Sequence, residues 1–387
     1  MSGVHQFVPM LHRHDAVGGH TRVLRDLLVA DGFDSRIYVE VVDPETAAET
    51  RPYLEYEAEA EPGDVLVYQL ATYSAMARWL VARPEPLVVN YHSITPPSFF
   101  APWSNGIARL QVDGLGDLAL LAARADLGIA VSHFDEEELR AAGCAETVVI
   151  PVANAPGPRP AGPEGPARRA GGRAGASWLS VGRLAPNKCH HVTIAALFVA
   201  RATSDPEARL TLVGSPSEPH YASALRRYAA SLGLVGAVDF VSGIDDDELS
   251  ERYRSADVLV MLSGHEGFGV PLVEAMANGL PVVARAAGAV PEVVGDAGVL
   301  LEDCGPRAVA SAVAGVLADA DGRSRMVERG RRRVLGMELD RAGERWVAAV
   351  SRFAPGRGAA VPGATVPGAT VPGATVPALR PPGAATH

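Results

Sequence analysis

Residues 258–282 read VLVMLSGHEGFGVPLVEAMANGLPV, and the fold is decided there. Val258–Leu262 is a continuous apolar run, the mark of a strand buried on both faces. Gly267 and Gly269 then permit a sharp turn and a close approach of backbone to ligand. Pro271 suits the first turn of a helix, where its missing N–H costs nothing. The amides around Phe268, Gly269, Val270 and Leu272 are therefore expected to point out of a helix start, where an anion binds. Glu266 and Glu274 bracket that turn. Taken singly, Glu274 serves equally well to complement the helix dipole, worth about 0.3–1 kcal/mol, and Glu266 to decorate a solvated loop. Their joint placement around a glycine-rich turn favours a ligand.

Outward from this point the chain alternates strand and helix patterns, which implies parallel sheets covered on both faces. Toward the N-terminus, Ser177–Val181, Arg209–Val213 and Val238–Val241 read as strands, and His190–Thr203, Tyr221–Leu232 and Asp246–Ser255 as helices. Pro281–Ala284 ends the strands of this half. Residues 153–176 read ANAPGPRPAGPEGPARRAGGRAGA, which sustains neither periodicity and reads as a linker. Before it, strands are expected at Val4–Leu11, Arg36–Val42, Asp64–Leu70, Leu87–His92, Leu127–Val131 and Thr147–Ile150. The expected organisation is therefore an N-terminal Rossmann-like domain over 1–152, the linker 153–176, and a second such domain over 177–336. A helix over 337–354 follows and crosses back to the first domain. The tail, 355–387, repeats VPGAT three times from Val361 and reads as disordered, since it has too little bulk to bury a core. Two such domains face each other across a cleft, with ligands beyond the carboxyl ends of the strands.

Composition narrows the function. Apolar residues make up 48% and charged residues 21% of 387, and the net charge is −10, which disfavours nucleic acid and anionic lipid as partners. No apolar run reaches the roughly 18–20 residues of a membrane span, and the start of the chain lacks a signal-peptide pattern, so a cytoplasmic protein is expected. Cys144, Cys189 and Cys304 are scattered and odd in number, so no disulfide framework is expected. Arginine is abundant, yet Lys188 is the only lysine. An ammonium kept against that bias suggests a role that guanidinium geometry does not fill.

The pattern Glu266-x7-Glu274, with GFGVP at 267–271, resembles the signature of the retaining glycosyltransferases of family 4, which have the GT-B fold. Four further stretches resemble that family in the same order: ADLGIAVS at 125–132, VGRLAPNK at 181–188, DFVSGI at 239–244 and AGAVPEVV at 287–294. The resemblance implies an enzyme using a nucleotide-sugar donor. It places Glu266 against the transferred sugar, Glu274 on the ribose hydroxyls, Ile244 in the base-binding turn, and Arg183 and Lys188 on the diphosphate. Gly267, Phe268, Gly269 and Val270 complete the donor site.

Two stretches of the first half extend the donor and acceptor sites. Gly18 and Gly19, in DAVGGHT at 15–21, open a helix after the first strand as the family's Gly-Gly loop does; a tight turn alone also accounts for two glycines. They do not form a dinucleotide fingerprint. His92, in NYHSITP at 90–96, resembles the family histidine that contacts the donor sugar, although a lone His at a strand end is often only a satisfied surface residue. Asp245-Asp246-Asp247 superficially suggests a metal site, but Asp245 followed by Glu248 reads better as a helix cap. His12, His14 and His20 lack metal-ligand spacing. No essential metal or cofactor is expected.

The resemblance further implies retention at the anomeric carbon. With no covalent nucleophile identified, front-face displacement is the expected route. The stretches 14–28 and 90–100 are similar to the 2-deoxystreptamine glycosyltransferases of kanamycin-type aminoglycoside biosynthesis. That likeness implies UDP-glucose or UDP-N-acetylglucosamine as donor and a small aminocyclitol as acceptor, with Asp15 and His92, and Asp113 or Asp117, on the acceptor side. A polysaccharide or lipid-linked acceptor, or a UDP-sugar epimerase of the same fold, remains an alternative.

Overall fold

The computed structural model describes residues 3–12, 16–153 and 175–354; Asp15, His14, residues 154–174 of the Pro/Gly/Ala segment and the 355–387 tail lie outside the described residues. Among the described residues, two parallel sheets follow one another along the chain. The first comprises β1 (Val4–Met10), β2 (Ile37–Val41), β3 (Thr50–Pro52), β4 (Val65–Leu70), β5 (Leu87–Tyr91), β6 (Leu127–Ala130) and β7 (Thr147–Val149). Their spatial order is β3-β2-β1-β4-β5-β6-β7. The second comprises β8 (Ser177–Val181), β9 (Arg209–Val213), β10 (Val238–Val241), β11 (Val258–Met261), β12 (Val282–Arg285) and β13 (Val299–Leu301), in the order β10-β9-β8-β11-β12-β13.

The central strands are buried on both faces, as helices on each side of a parallel sheet require. Every residue of β4, β5 and β11 is buried. Strand order reverses between β1 and β4 in the first sheet and between β8 and β11 in the second. Crevices open beyond the carboxyl ends at such reversals, so the loops after these four strands are the ones placed to hold a ligand.

Periodicity locates most elements within a residue or two and misses some. β3 and β13, three-residue edge strands, are absent from the periodicity reading, whereas β7, equally short, is present in it. Helices Val290–Val294 and Pro306–Ala318 are also absent from the periodicity reading. The helical stretch after residue 320 is two helices, Ala320–Gly336 and Leu339–Ser351, separated by Glu338 with a φ of 47°. A residue in the left-handed region ends one helix and redirects the next.

Helix Leu339–Ser351 lies on the first domain. Trp346 and Val350 are fully buried in one cluster with Val4, Leu24 and Leu28. Arg345 Nη2 donates to the Val149 carbonyl at 2.9 Å, and Arg352 pairs with Glu146 at 2.6 Å. Helix Leu339–Ser351 thus packs on the domain that holds β1. Truncating Trp346 to Ala is expected to cost about 3–5 kcal/mol, the loss typical of a large buried aromatic. Urea unfolding monitored by circular dichroism checks this, and an unchanged midpoint would show that the helix does not hold the first domain.

Candidate active site

The site is assembled first from the loop after β8. Gly182 N–H donates to the Val213 carbonyl at 2.9 Å and Leu184 N–H to Ser215 at 2.9 Å, so the loop continues alongside the β9 loop. The buried His190 ring braces it from beneath, with Nε2 3.2 Å from the Arg183 carbonyl. Burial pushes His190 down to about 4, so the ring is neutral and Nε2–H donates to that carbonyl. This bracing leaves the Arg183 side chain exposed, and its guanidinium has no partner among the described residues. Lys188 is held closer in, 16% exposed.

The loop after β11 meets it. Gly264 N–H donates to the Asn187 carbonyl at 2.7 Å, and Ala289 N–H to the Glu266 carbonyl at 2.9 Å. Glu266 is thereby fixed with its carboxylate against Lys188 Nζ in a short ion pair. Gly269, with a φ of 87°, turns the chain into helix Val270–Ala277. Phe268 is buried beneath this turn. Leu272 N–H, expected to be free here, instead donates to the Gly269 carbonyl at 2.9 Å and closes the turn; the remaining amides of that turn present partial positive charge to the same crevice. Glu274 lies one turn further on, and its carboxylate accepts a 2.6 Å hydrogen bond from the buried Tyr253 hydroxyl. Ile244, half-buried, packs on the same core cluster beside the β10 loop.

The first domain reaches the Glu266 loop through residues the sequence did not single out. Ser93 Oγ lies 2.9 Å from His265 Nε2. Ser93 itself has a φ of 64°, and it follows His92 directly. A Cβ on Gly267 would come within 2.6 Å of Ser93 Cβ and 2.8 Å of Asp135 Oδ2, so only glycine fits this crossing. Glu292, quoted above within AGAVPEVV without a role, caps a helix of the other domain. Its carboxylate accepts from the main-chain N–H of His133 at 2.9 Å and of Phe134 at 3.3 Å, at the start of helix His133–Ala141. The helix dipole strengthens that contact. Trp103 of the first domain sets its ring edge-on to Tyr221 at 4.9 Å.

His92 directly follows β5 with its ring half-buried, and burial holds it down at about 4. Gly18 and Gly19 fall within the first turn of helix Ala16–Ala30, after β1. The geometry brings Lys188 and Glu266 together, sets Glu274 one helical turn away, and joins the His92 loop to the Glu266 loop through Ser93 and His265. Arg183 and Ile244 flank this group without bonding to it. Asp245 Oδ1 accepts from Glu248 N–H at 2.9 Å, so this acid caps its helix. His12 pairs with Asp43 at 3.2 Å. Among the described residues no cluster of three or more His, Cys, Asp or Glu is placed to hold a metal ion.

This fold, with its paired switch points, is the GT-B fold, and residues 176–333 match the family model of glycosyl transferases group 1. Among curated proteins the chain is similar to mannosylfructose-phosphate synthase of Agrobacterium fabrum, 40% identical over 106 residues that make up 26% of this chain and 23% of that protein. It is also similar to D-inositol 3-phosphate glycosyltransferase of Actinosynnema mirum, 30% identical over 266 residues, or 65% of this chain and 63% of the relative. The chain thus spans less than two thirds of the length of these relatives. Anabaena HepE in complex with UDP-glucose superposes with a TM-score of 0.71 at 18% identity, covering 90% of this chain and 99% of HepE. Sucrose-phosphate synthase from Thermosynechococcus elongatus gives 0.71 at 22% identity, covering 91% and 99%. Likeness at that identity establishes the fold. No helix among the described residues is long and apolar enough to cross a membrane.

Asp135 offers a direct test of the interdomain contact. It is fully buried, and both carboxylate oxygens lack a hydrogen-bond partner. Burial, reinforced by Glu138, Glu292 and Glu266, pushes its carboxyl well above the usual aspartate range. The unfolded chain releases this proton near pH 3.9, as aspartates ordinarily do, roughly. The folded chain keeps it to higher pH, so this group removes stability as pH rises through that window. Asp135→Asn is expected to raise Tm by about 2–4 °C at pH 7.5, the shift that roughly 1 kcal/mol produces in a domain of this size. The gain should vanish below pH 4, roughly the free aspartate value. A gain independent of pH, or none at all, would contradict the buried-acid reading.

Proposed function

We propose that the chain is a retaining glycosyltransferase that moves glucose or N-acetylglucosamine from its UDP-sugar to a small hydroxylated cyclitol, 2-deoxystreptamine. The observation that carries the donor half is the Lys188–Glu266 pair at the switch point of the second sheet, beside Arg183 and the start of helix Val270–Ala277. A diphosphate entering this crevice competes for Lys188 and frees the Glu266 carboxylate to accept hydrogen bonds from the sugar hydroxyls. Glu274, pre-oriented by Tyr253, takes the ribose. HepE binds UDP-glucose on the same fold, which supports a UDP-linked donor here.

In the reaction the acceptor oxygen bonds to the anomeric carbon on the face from which the diphosphate leaves. The acceptor proton passes to a departing phosphate oxygen, and retention follows. Arg183, Lys188 and the helix amides stabilise the charge that develops on UDP.

An aminocyclitol acceptor is supported by the acids near the carboxyl ends of the first sheet. Glu40 accepts from Ser74 Oγ at 2.5 Å, and Asp117 accepts from Ser74 N–H at 3.4 Å. Asp113 lies one turn before Asp117 on the same helix. The chain's net charge of −10 favours a cationic acceptor. Asp15 belongs to this acceptor side in the same reading. The curated relatives' names favour a second reading, a phosphorylated polyol acceptor, which the net negative charge disfavours.

Incubating the full chain with each UDP-sugar and either 2-deoxystreptamine or inositol phosphate discriminates these readings. UDP release that depends on the aminocyclitol supports the first, release with inositol phosphate supports the second, and silence throughout overturns both. Glu266→Gln is expected to keep UDP affinity and lower kcat by about 10²–10³, as loss of one transition-state contact does. Lys188→Ala should weaken UDP binding as well as turnover.

A further inference from the structure

Three amides lie where parallel strands would ordinarily bury apolar side chains. Gln6 on β1, Gln69 on β4 and Asn90 on β5 are each fully buried on adjacent strands. Burying an amide is costly unless its hydrogen bonds are made, so their connections are informative. Gln6 Nε2 donates to the Thr21 carbonyl at 2.9 Å. A carbonyl only accepts, and this end fixes the direction of the whole series. Gln6 Oε1 must then face its neighbour, and it accepts from Gln69 Nε2 at 2.8 Å. Gln69 Oε1 is left to face Asn90 Nδ2 at 2.7 Å and His92 Nε2 at 2.7 Å. Turning either glutamine over would set two oxygens, or two NH2 groups, against each other.

An amide oxygen cannot donate. Asn90 Nδ2, which only donates, also lies 3.1 Å from His92 Nε2, but the Gln69 Oε1 contact is the shorter at 2.7 Å and places the proton on the imidazole, with the Asn90 NH2 turned to Gln69 Oε1. The other ring nitrogen, Nδ1, has no partner among the described residues, and the ring is half-buried where β5 ends. We infer that Gln69, oriented by Gln6 and the Thr21 carbonyl, is a positioning residue that holds His92 as its Nε2–H tautomer, so that Nδ1 offers a lone pair to a sugar hydroxyl in the cleft. His92 then acts as a hydrogen-bond acceptor and not as an acid. Burial supports this by keeping the ring neutral down to about pH 4. The titratable group facing it among the described residues is His20 from helix Ala16–Ala30, edge-on at 5.3 Å and itself held neutral by burial. This inference rests on the reading of His92 as a sugar contact.

The test uses the full chain labelled with ¹⁵N-histidine, with His92 assigned by comparison with His92→Gln. Long-range ¹H–¹⁵N correlation at pH 7 on the free protein should show Nε2 protonated and Nδ1 bare, and UDP-glucose should perturb Nδ1. In Gln69→Glu the carboxylate favours the imidazolium, so the acid limb of the kcat/KM profile should move up by at least one pH unit, roughly the effect of a neighbouring charge. Gln69→Leu should raise the donor KM about tenfold, the loss of one ordinary hydrogen bond. An Nδ1–H tautomer in the wild type, or a Gln69→Glu profile that overlays the wild type, overturns the inference. The tautomer is read without substrate, so an inactive wild type with the expected tautomer would sink the transferase reading alone. An active wild type with the opposite tautomer would sink only this one.

Discussion

Lys188 and Glu266 are 78 residues apart, come from loops after different strands, and meet because β8 and β11 are the neighbours at which the second sheet reverses its order. A partly buried ion pair of this kind adds little net stability, since desolvation offsets most of its attraction. Its consequence is positional. It holds the ammonium and the carboxylate at the mouth of a crevice, in low dielectric, where either can be exchanged for a ligand group of matching charge. Asn187 against Gly264 keeps those two loops in register, while His190 braces the first at Arg183 and Ala289, from the segment after β12, braces the second at Glu266.

The second constraint is the crossing between domains at Gly267. Ser93, His265, Asp135 and the Glu292 cap converge within a few residues of Glu266, so the two sheets are set relative to each other at the place where chemistry would occur. A buried, unpaired Asp135 is costly there, and sites of function are where such costs concentrate. Opening the cleft would rehydrate that carboxylate and release the Ser93–His265 contact together. The return of helix Leu339–Ser351 to the first domain gives the two domains a second tie, through Trp346, Val350 and Arg345.

Much of this was legible in the sequence, for local reasons. The strand–turn–helix around Glu266 and Glu274 is contiguous, and Lys188 stood out by being alone. Long central strands announced themselves as apolar runs. What stayed hidden was set by topology. Ser93 meets His265 across 172 positions and His133 meets Glu292 across 159, distances over which no periodicity carries information. Gln6, Gln69 and Asn90 read as polar interruptions of three strands until the strand order makes them neighbours. Tyr253 shows only as one aromatic on an otherwise charged helix, and the Glu274 contact exists because that helix packs beside the crevice.

A crystal structure of the full chain with UDP tests the central claim most directly. The account predicts the diphosphate between Arg183, Lys188 and the first turn of helix Val270–Ala277, with Lys188 withdrawn from Glu266 and the ribose hydroxyls on Glu274. UDP seated elsewhere, with the Lys188–Glu266 pair intact, would contradict it.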